Sequence, residues 1–104
     1  MITGYAIFLK NRFYVVPAST KRFTKAIADK FISQPIFQDL LKAHPDKLNP
    51  DILYKDMVDN KRYIKINYEY RPQTDTGNGT EPRYYINTNS MIGYWKPEQF
   101  IVIE

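Results

Sequence analysis

The residues of this chain that could do chemistry are few, and they do not gather. The one histidine, His44, is the side chain suited to acid-base work near neutral pH. It stands just before Pro45 at the end of a helical run, where an imidazole commonly meets the last carbonyls and the negative helix end. A metal site there would need Asp46, Asp51 or other carboxylates, and the spacing matches no ligand pattern. Asp56 and Asp59, three apart on one helix face, can pair, but acids so placed usually belong to a solvated face. With no cysteine in the chain, thiolate nucleophiles, disulfides and cysteine metal sites are excluded. There is no G-x-S-x-G and no phosphate-cradling glycine loop. The sequence therefore assigns no catalytic residue, metal or cofactor, and the chain reads as a binding protein and not an enzyme.

Two clusters suit binding. Lys21, Arg22 and Lys25 follow Ser19 and Thr20, either of which can cap a helix. Cations in a first helical turn oppose the positive helix end, so stability alone would not choose them. Free N–H groups, two hydroxyls and three cations there make an anion site, for a phosphate, a nucleotide or an acidic partner. The bland alternative is a solvated helix face.

The second cluster is rich in tyrosine and arginine. If the polar loop 72–82, with its Gly77 and Gly79, closes symmetrically, Arg71 faces Arg83 and Glu69 faces Tyr85. Like charges directly opposite each other are destabilising, so either the register differs or the pair holds an anionic visitor. Tyr85, Tyr94 and Trp95 are the aromatic anchors, with Arg71 and Arg83 around them. Such a surface suits a protein partner, where Tyr, Trp and Arg carry binding energy, or single-stranded nucleic acid, which needs stacking rings and phosphate partners. The bland alternative has these rings closing the core.

One short motif has a relative. His44-Pro45-Asp46 between two expected helices resembles the loop with which J-domain co-chaperones engage an Hsp70 partner, and the resemblance implies that these three residues make the contact. It covers about a dozen residues. The family's preceding helix is long and basic, whereas here it is interrupted at Pro35 and carries Gln38 and Asp39; the family is all-helical, whereas this chain has strands on both sides.

The elements that must position these residues follow from periodicity. Ile2–Leu9 and Phe13–Val16 around Lys10-Asn11-Arg12 read as a hairpin. A helix beginning near Ser19 or Thr20 puts Phe23, Ala26, Ile27 and Phe31 on one face. A second helix runs from Pro35 to His44. Asn49-Pro50-Asp51 starts a third with a capping side chain, a proline at its first position and an acid near the positive end, and Asn60 ends it. Residues 63–71 alternate as a half-buried antiparallel strand, with Ile64, Ile66, Tyr68 and Tyr70 on its buried face. Strands at 83–88, 91–95 and 100–103 complete the order ββαααββββ, an α+β antiparallel sheet with helices on one face.

At 104 residues the chain makes one domain spanning 1–104, and 43% hydrophobic residues are an ordinary globular share. The 15% aromatic content exceeds what a core requires and points to the surface. Residues 1–30 carry six bases and one acid, residues 31–60 three and five, residues 61–104 six and five. That basic start permits an anionic partner without requiring one. No apolar run is long enough to span a membrane, no secretion signal opens the chain, and a cytoplasmic location is expected. Asn78-Gly79-Thr80 is a glycosylation sequon only in form.

The leading expectation is a small binding protein directed at another protein, an inhibitor, adaptor or accessory factor of the kind phage and mobile elements carry. Nucleic acid and a small anion are the alternative partners. An apolar closing strand left at a sheet edge would also permit a homodimer.

Overall fold

The structure, a computed structural model, describes residues 1–75 and 80–104. Its elements are β1 (Ile2–Leu9), β2 (Arg12–Pro17), α1 (Lys25–Ile32), α2 (Pro35–Ala43), α3 (Pro50–Asp59), β3 (Ile64–Asp75), β4 (Thr80–Asn87), β5 (Ile92–Trp95) and β6 (Phe100–Val102), with a 3-10 turn at Pro97–Gln99. This is the α+β order that periodicity predicts. The strands form one sheet in the order β5-β4-β3-β1-β2-β6. All neighbours are antiparallel except β6, which runs parallel to β2.

Local chemistry explains most of the boundaries. Lys10 and Asn11 both adopt positive φ, 51° and 64°, and join Leu9 to Arg12 through a two-residue turn whose twist matches that of the strands. Asn49 accepts from the Ile52 N–H at 2.9 Å, Pro50 and Asp51 follow, and α3 ends on Asn60 as its C-cap. At that end the Arg62 N–H reaches the Met57 carbonyl and the Lys61 N–H the Val58 carbonyl. These are the paired bonds of a Schellman ending.

α1 starts later than periodicity suggests. Its N-cap is Thr24, whose Oγ1 accepts from the Ile27 N–H, and not Ser19 or Thr20. A tertiary contact decides this: the Tyr5 hydroxyl donates to the Thr20 carbonyl at 2.7 Å, and the Thr20 hydroxyl donates to the Arg22 carbonyl. That connector delivers Phe23 into the core, stacked 4.2 Å from Tyr63. The late start also rotates the helix, so that Ala28 is buried and Ala26 exposed.

The sheet has an apolar cluster on each side. Tyr5, Ile7, Tyr14 and Val16 face the helices and pack with Phe31, Phe37, Leu53 and Met57. Ala6, Phe13, Val15, Ile66, Tyr68, Ile86 and Phe100 face the other way. No helix covers that second cluster, because the sheet rolls over it. Phe13 on β2 meets Trp95 on β5 at 4.8 Å between ring centroids, and Phe100 on β6 stacks on Tyr84 of β4 at 4.5 Å. Each pair is four strands apart in the sheet order, roughly 19 Å if the sheet were flat. The connection from Trp95 to Phe100, five residue steps spanning at most about 17 Å extended, joins the two ends of the sheet order. Thus Ile66, Tyr68 and Ile86 are buried as the alternation predicts, but inside the rolled sheet and not against the helices. Tyr70, at 50% exposure, extends past the cover.

β6 ends the sheet order, yet both its faces are used: Phe100 and Val102 face the rolled interior, and Ile101 packs with Ile103 on the helix side. That explains a closing strand with no polar alternation. β3 and β4 together outrun β1, whose pairing with β3 spans Ile2↔Tyr68 to Ala6↔Ile64, and project as a two-stranded arm on a molecule 49 Å long. The register shifts between Arg71 and Thr74, a bulge that accommodates Pro72 within a strand. Much of the expected 72–82 loop is therefore paired strand; Gly77, Asn78 and Gly79 lie outside the described residues.

Candidate functional site

The helices cover only the β1-β2-β6 half of their side of the sheet. On the β3-β4-β5 half the same side is bare, and the strands carry Lys65, Asn67, Glu69 and Arg71, then Tyr85 and Asn87, then Ile92 and Tyr94. Ile92 is 69% and Tyr94 48% exposed.

The register here is the one a symmetric closing predicts: Arg71 lies opposite Arg83, and Glu69 opposite Tyr85. Each of the two arginines has a counter-charge along its own strand. Arg71 bonds Glu69, two residues back, with N···O distances of 2.6 and 2.7 Å. Arg83 does the same with Glu81 at 2.6 Å. Residues two apart on a strand share a face, so the spacing itself supplies the counter-charge.

Arg71 is held further. Its Nη1 donates to the Tyr94 hydroxyl at 2.7 Å, and its guanidinium carbon lies 4.1 Å over the Tyr85 ring and 5.6 Å from that of Tyr94. The Tyr85 and Tyr94 rings are 5.1 Å apart. The hydrogen bond from Arg71 to Glu69 holds its pKa above the ordinary arginine value. The product is a flat, preordered Arg–Tyr–Tyr cluster on an exposed sheet face. At the other end of that face, Lys65, Asn67, Asn87 and the turn Thr88–Ser90 line a shallow polar recess of about 410 Å³.

Trp95 does not join this cluster. It follows Tyr94 in the strand and so points to the opposite face, edge-on to Phe13 in the rolled interior. Its indole Nε1 is buried with no hydrogen-bond partner among the described residues. Of the five anchors expected from sequence, the structure thus brings together Arg71, Tyr85 and Tyr94. Arg83 lies beside them with its side chain only 13% exposed. Sequence reasoning overlooked Ile92, although its alternation with Tyr94 in a short strand was the available signal.

The expected anion site loses its helix. Ser19, Thr20, Lys21 and Arg22 are exposed on the connector ahead of α1, and Thr24 accepts from the Ile27 and Ala28 N–H groups of that helix. Lys25, the first helical residue, pairs with Asp51 of α3 at 2.9 Å, and that hydrogen bond raises its pKa. His44, Pro45 and Asp46 are exposed on the turn between α2 and α3, where the His44 carbonyl accepts from the Lys47 and Leu48 N–H groups. The flanking helices are 9 and 10 residues long and pack on a sheet, unlike the all-helical co-chaperones. Asp56 is bound by Arg62 and Asn60 and does not pair with Asp59. Among the described residues no three His, Asp or Glu side chains group as metal ligands, and no helix is long and apolar enough to cross a membrane. Compared with known proteins, the chain matches no family model, no curated protein and no solved structure.

Proposed function

We propose that this protein is a non-enzymatic binding module that offers the bare β3-β4-β5 face to another protein, as an inhibitor, adaptor or accessory factor would. The observation that carries this reading is the fixed position of Arg71 between Glu69, Tyr85 and Tyr94, beside the exposed Ile92. Tyr and Arg are the side chains that most often concentrate binding energy. An arginine already held by three neighbours has less rotamer freedom to lose on association. The apolar Ile92 supplies area to remove from water.

The same cluster suits nucleic acid less well. A phosphate at Arg71 must compete with the Glu69 carboxylate, and the guanidinium already occupies one face of the Tyr85 ring that a base would stack on. Arg71 and Arg83 are offset by acids on their own strands, so they offer little counterion release to drive binding.

The test is capture of partners from a host lysate by the tagged chain, with and without nuclease, alongside an Ile92→Asp variant. The expected result is one protein retained in both halves and lost with the variant. Material that vanishes on nuclease treatment, or that the variant retains undiminished, overturns the proposal.

A further inference from the structure

A groove of about 530 Å³ lies on the helix side of the molecule, where β1 runs past the start of β3. Leu9, Phe37, Leu40, Leu53 and Met57 give it an apolar lining, and Lys61 and Arg62 stand on its rim. Phe8 contributes as well, with 55% of its surface exposed.

The backbone beside this groove is open. Pairing of β1 with β3 stops at Ala6↔Ile64, while pairing with β2 continues to Leu9↔Arg12. Leu9 and Arg12 flank a two-residue turn and so exchange both hydrogen bonds. Alternation then turns the N–H and C=O of Ile7 and Leu9 toward β2 and those of Phe8 toward the side that β3 has left. The chain that might have continued β3 is diverted: the Arg62 N–H closes α3 by bonding the Met57 carbonyl. Phe8 thus presents a donor and an acceptor to an apolar groove with no strand opposite among the described residues.

The charged side chains that line the groove are Asp56, Lys61 and Arg62, and Lys10 stands in the hairpin turn at the end of β1. Asp56 is held by Arg62 and Asn60, and among the described residues no carboxylate pairs with Lys10, Arg12 or Lys61. Lys61 also sits at φ 47°, the position after a helix C-cap where glycine is the usual residue. A lysine there costs stability, so stability does not account for it.

We propose that this groove binds an extended, acidic segment of another protein by strand addition. The segment lies beside Phe8 and takes its N–H and C=O, sets alternate apolar side chains over Leu40, Leu53 and Met57, and brings a carboxylate to Lys61. An extended segment is specified because a helix has no free backbone groups along its length to offer Phe8. An acidic one is specified by Lys61, which lines the groove with no carboxylate paired to it among the described residues, Arg62 being paired with Asp56. This site is separate from the bare sheet face, and either can stand without the other.

The test pans a displayed library of random peptides against the full chain. Peptides with alternating apolar residues flanked by acids are expected to be enriched, and an enriched synthetic peptide should bind Lys61→Gly about tenfold more weakly, the loss of one good charge contact, although that variant melts at a higher temperature. Hydrogen exchange of the wild-type chain supplies a readout that needs no variant: the Phe8 amide exchanges freely alone and is protected when the peptide is added. Phe8→Pro, which removes that N–H, should lose binding that Phe8→Ala keeps. No enrichment, enrichment of basic or acid-free peptides, equal affinity for Lys61→Gly, or a Phe8 amide that stays unprotected in the complex overturns the proposal.

Discussion

The guanidinium of Arg71 lies 4.1 Å above the ring of Tyr85 while directly opposing Arg83 across the β3–β4 ladder. The two cations of this cross-strand pair are each neutralised along their own strand, by Glu69 and by Glu81. The cluster is a geometric device as much as an electrostatic one. Arg71→Lys keeps the charge but loses the planar fork that reaches Glu69 and Tyr94 at once. Partner binding through this face should fall about tenfold in that variant, and a double-mutant cycle of Arg71→Ala with Tyr85→Leu should show favourable coupling in urea unfolding. Additive effects of the two changes would mean that the stacked geometry contributes nothing.

Tyr94 and Trp95 are neighbours in sequence with opposite fates, and substitution should separate them. Trp95→Ala removes a ring packed on Phe13 in the rolled interior and should cost about 3 kcal/mol. Tyr94→Ala should change stability by less than about 1 kcal/mol, since its ring is half exposed. Trp95→Phe should cost little, because it keeps an aromatic contact and removes an indole N–H that has no partner among the described residues. Urea midpoints of the three variants give the comparison; a Tyr94→Ala protein less stable than Trp95→Ala would invert the assignment of faces.

Local chemistry made much of this architecture legible in the sequence, and non-local geometry hid the rest. Asn49-Pro50-Asp51 announces α3 because a cap, a proline and an acid act within one turn. The β3 alternation and the Arg71↔Arg83 register were readable because pairing across a single connection follows from residue spacing. The start of α1 was not, since the hydroxyl of Tyr5, fifteen residues away, holds Thr20 in the connector. The inward turn of Trp95 depends on a sheet rolling across four strands, which no window of sequence contains. The parallel pairing of β6 has the same origin. Among the candidate binding residues, Arg71, Tyr85 and Tyr94 came together because strand alternation puts them on one face of β3, β4 and β5; Trp95, one residue on, went to the other face, and the residues that relied on an early helix start did not gather.

Gly4 marks where backbone approach sets residue size. It pairs with Pro17 on one side and Ile66 on the other, and a Cβ added there would lie 2.8 Å from the Val16 carbonyl oxygen. That neighbour is main chain in the middle of a sheet and can yield only by distorting the ladder. Gly4→Ala should therefore destabilise the protein by on the order of 1–3 kcal/mol, in contrast to Gly93→Ala, where a Cβ meets nothing within 4 Å. Thermal unfolding of the two variants checks this, and equal melting temperatures would remove the steric argument.

Among the described residues, Lys10, Asn11 and Lys61 hold positive φ without being glycine. Each stands where glycine carries no steric cost, the first two in a hairpin turn of the mirrored kind and the third after a helix C-cap. Asn11→Gly and Lys61→Gly should each stabilise the protein by about 0.5–1 kcal/mol, and because the sites belong to separate elements the gains should add. Calorimetric melting of the single and double variants is the measurement. A loss of stability on Lys61→Gly would mean that its side chain contributes more to the fold than its backbone strain costs.

Tyr68 and Tyr84 give the fold a limit on the alkaline side. Burial in the rolled interior raises both above the ordinary tyrosine value of 10.0, and each hydroxyl is further disfavoured as an anion by the other tyrosines of the row and by Glu104. Because the folded pKa is the higher one, the neutral phenols contribute stability fully below pH 10. That contribution is lost as pH rises through the folded values, when the unfolded chain has already released its protons. The Lys25–Asp51 pair loses its charge in the same direction, since Lys25 is raised from 10.5, but it lies on the surface and is screened by salt. The urea midpoint should therefore fall above pH 10 in a manner that added salt barely changes, and Tyr68→Phe and Tyr84→Phe should each flatten the fall. If Lys25→Met flattens it and the phenylalanine variants do not, the alkaline limit lies in the surface pair and not in the aromatic interior.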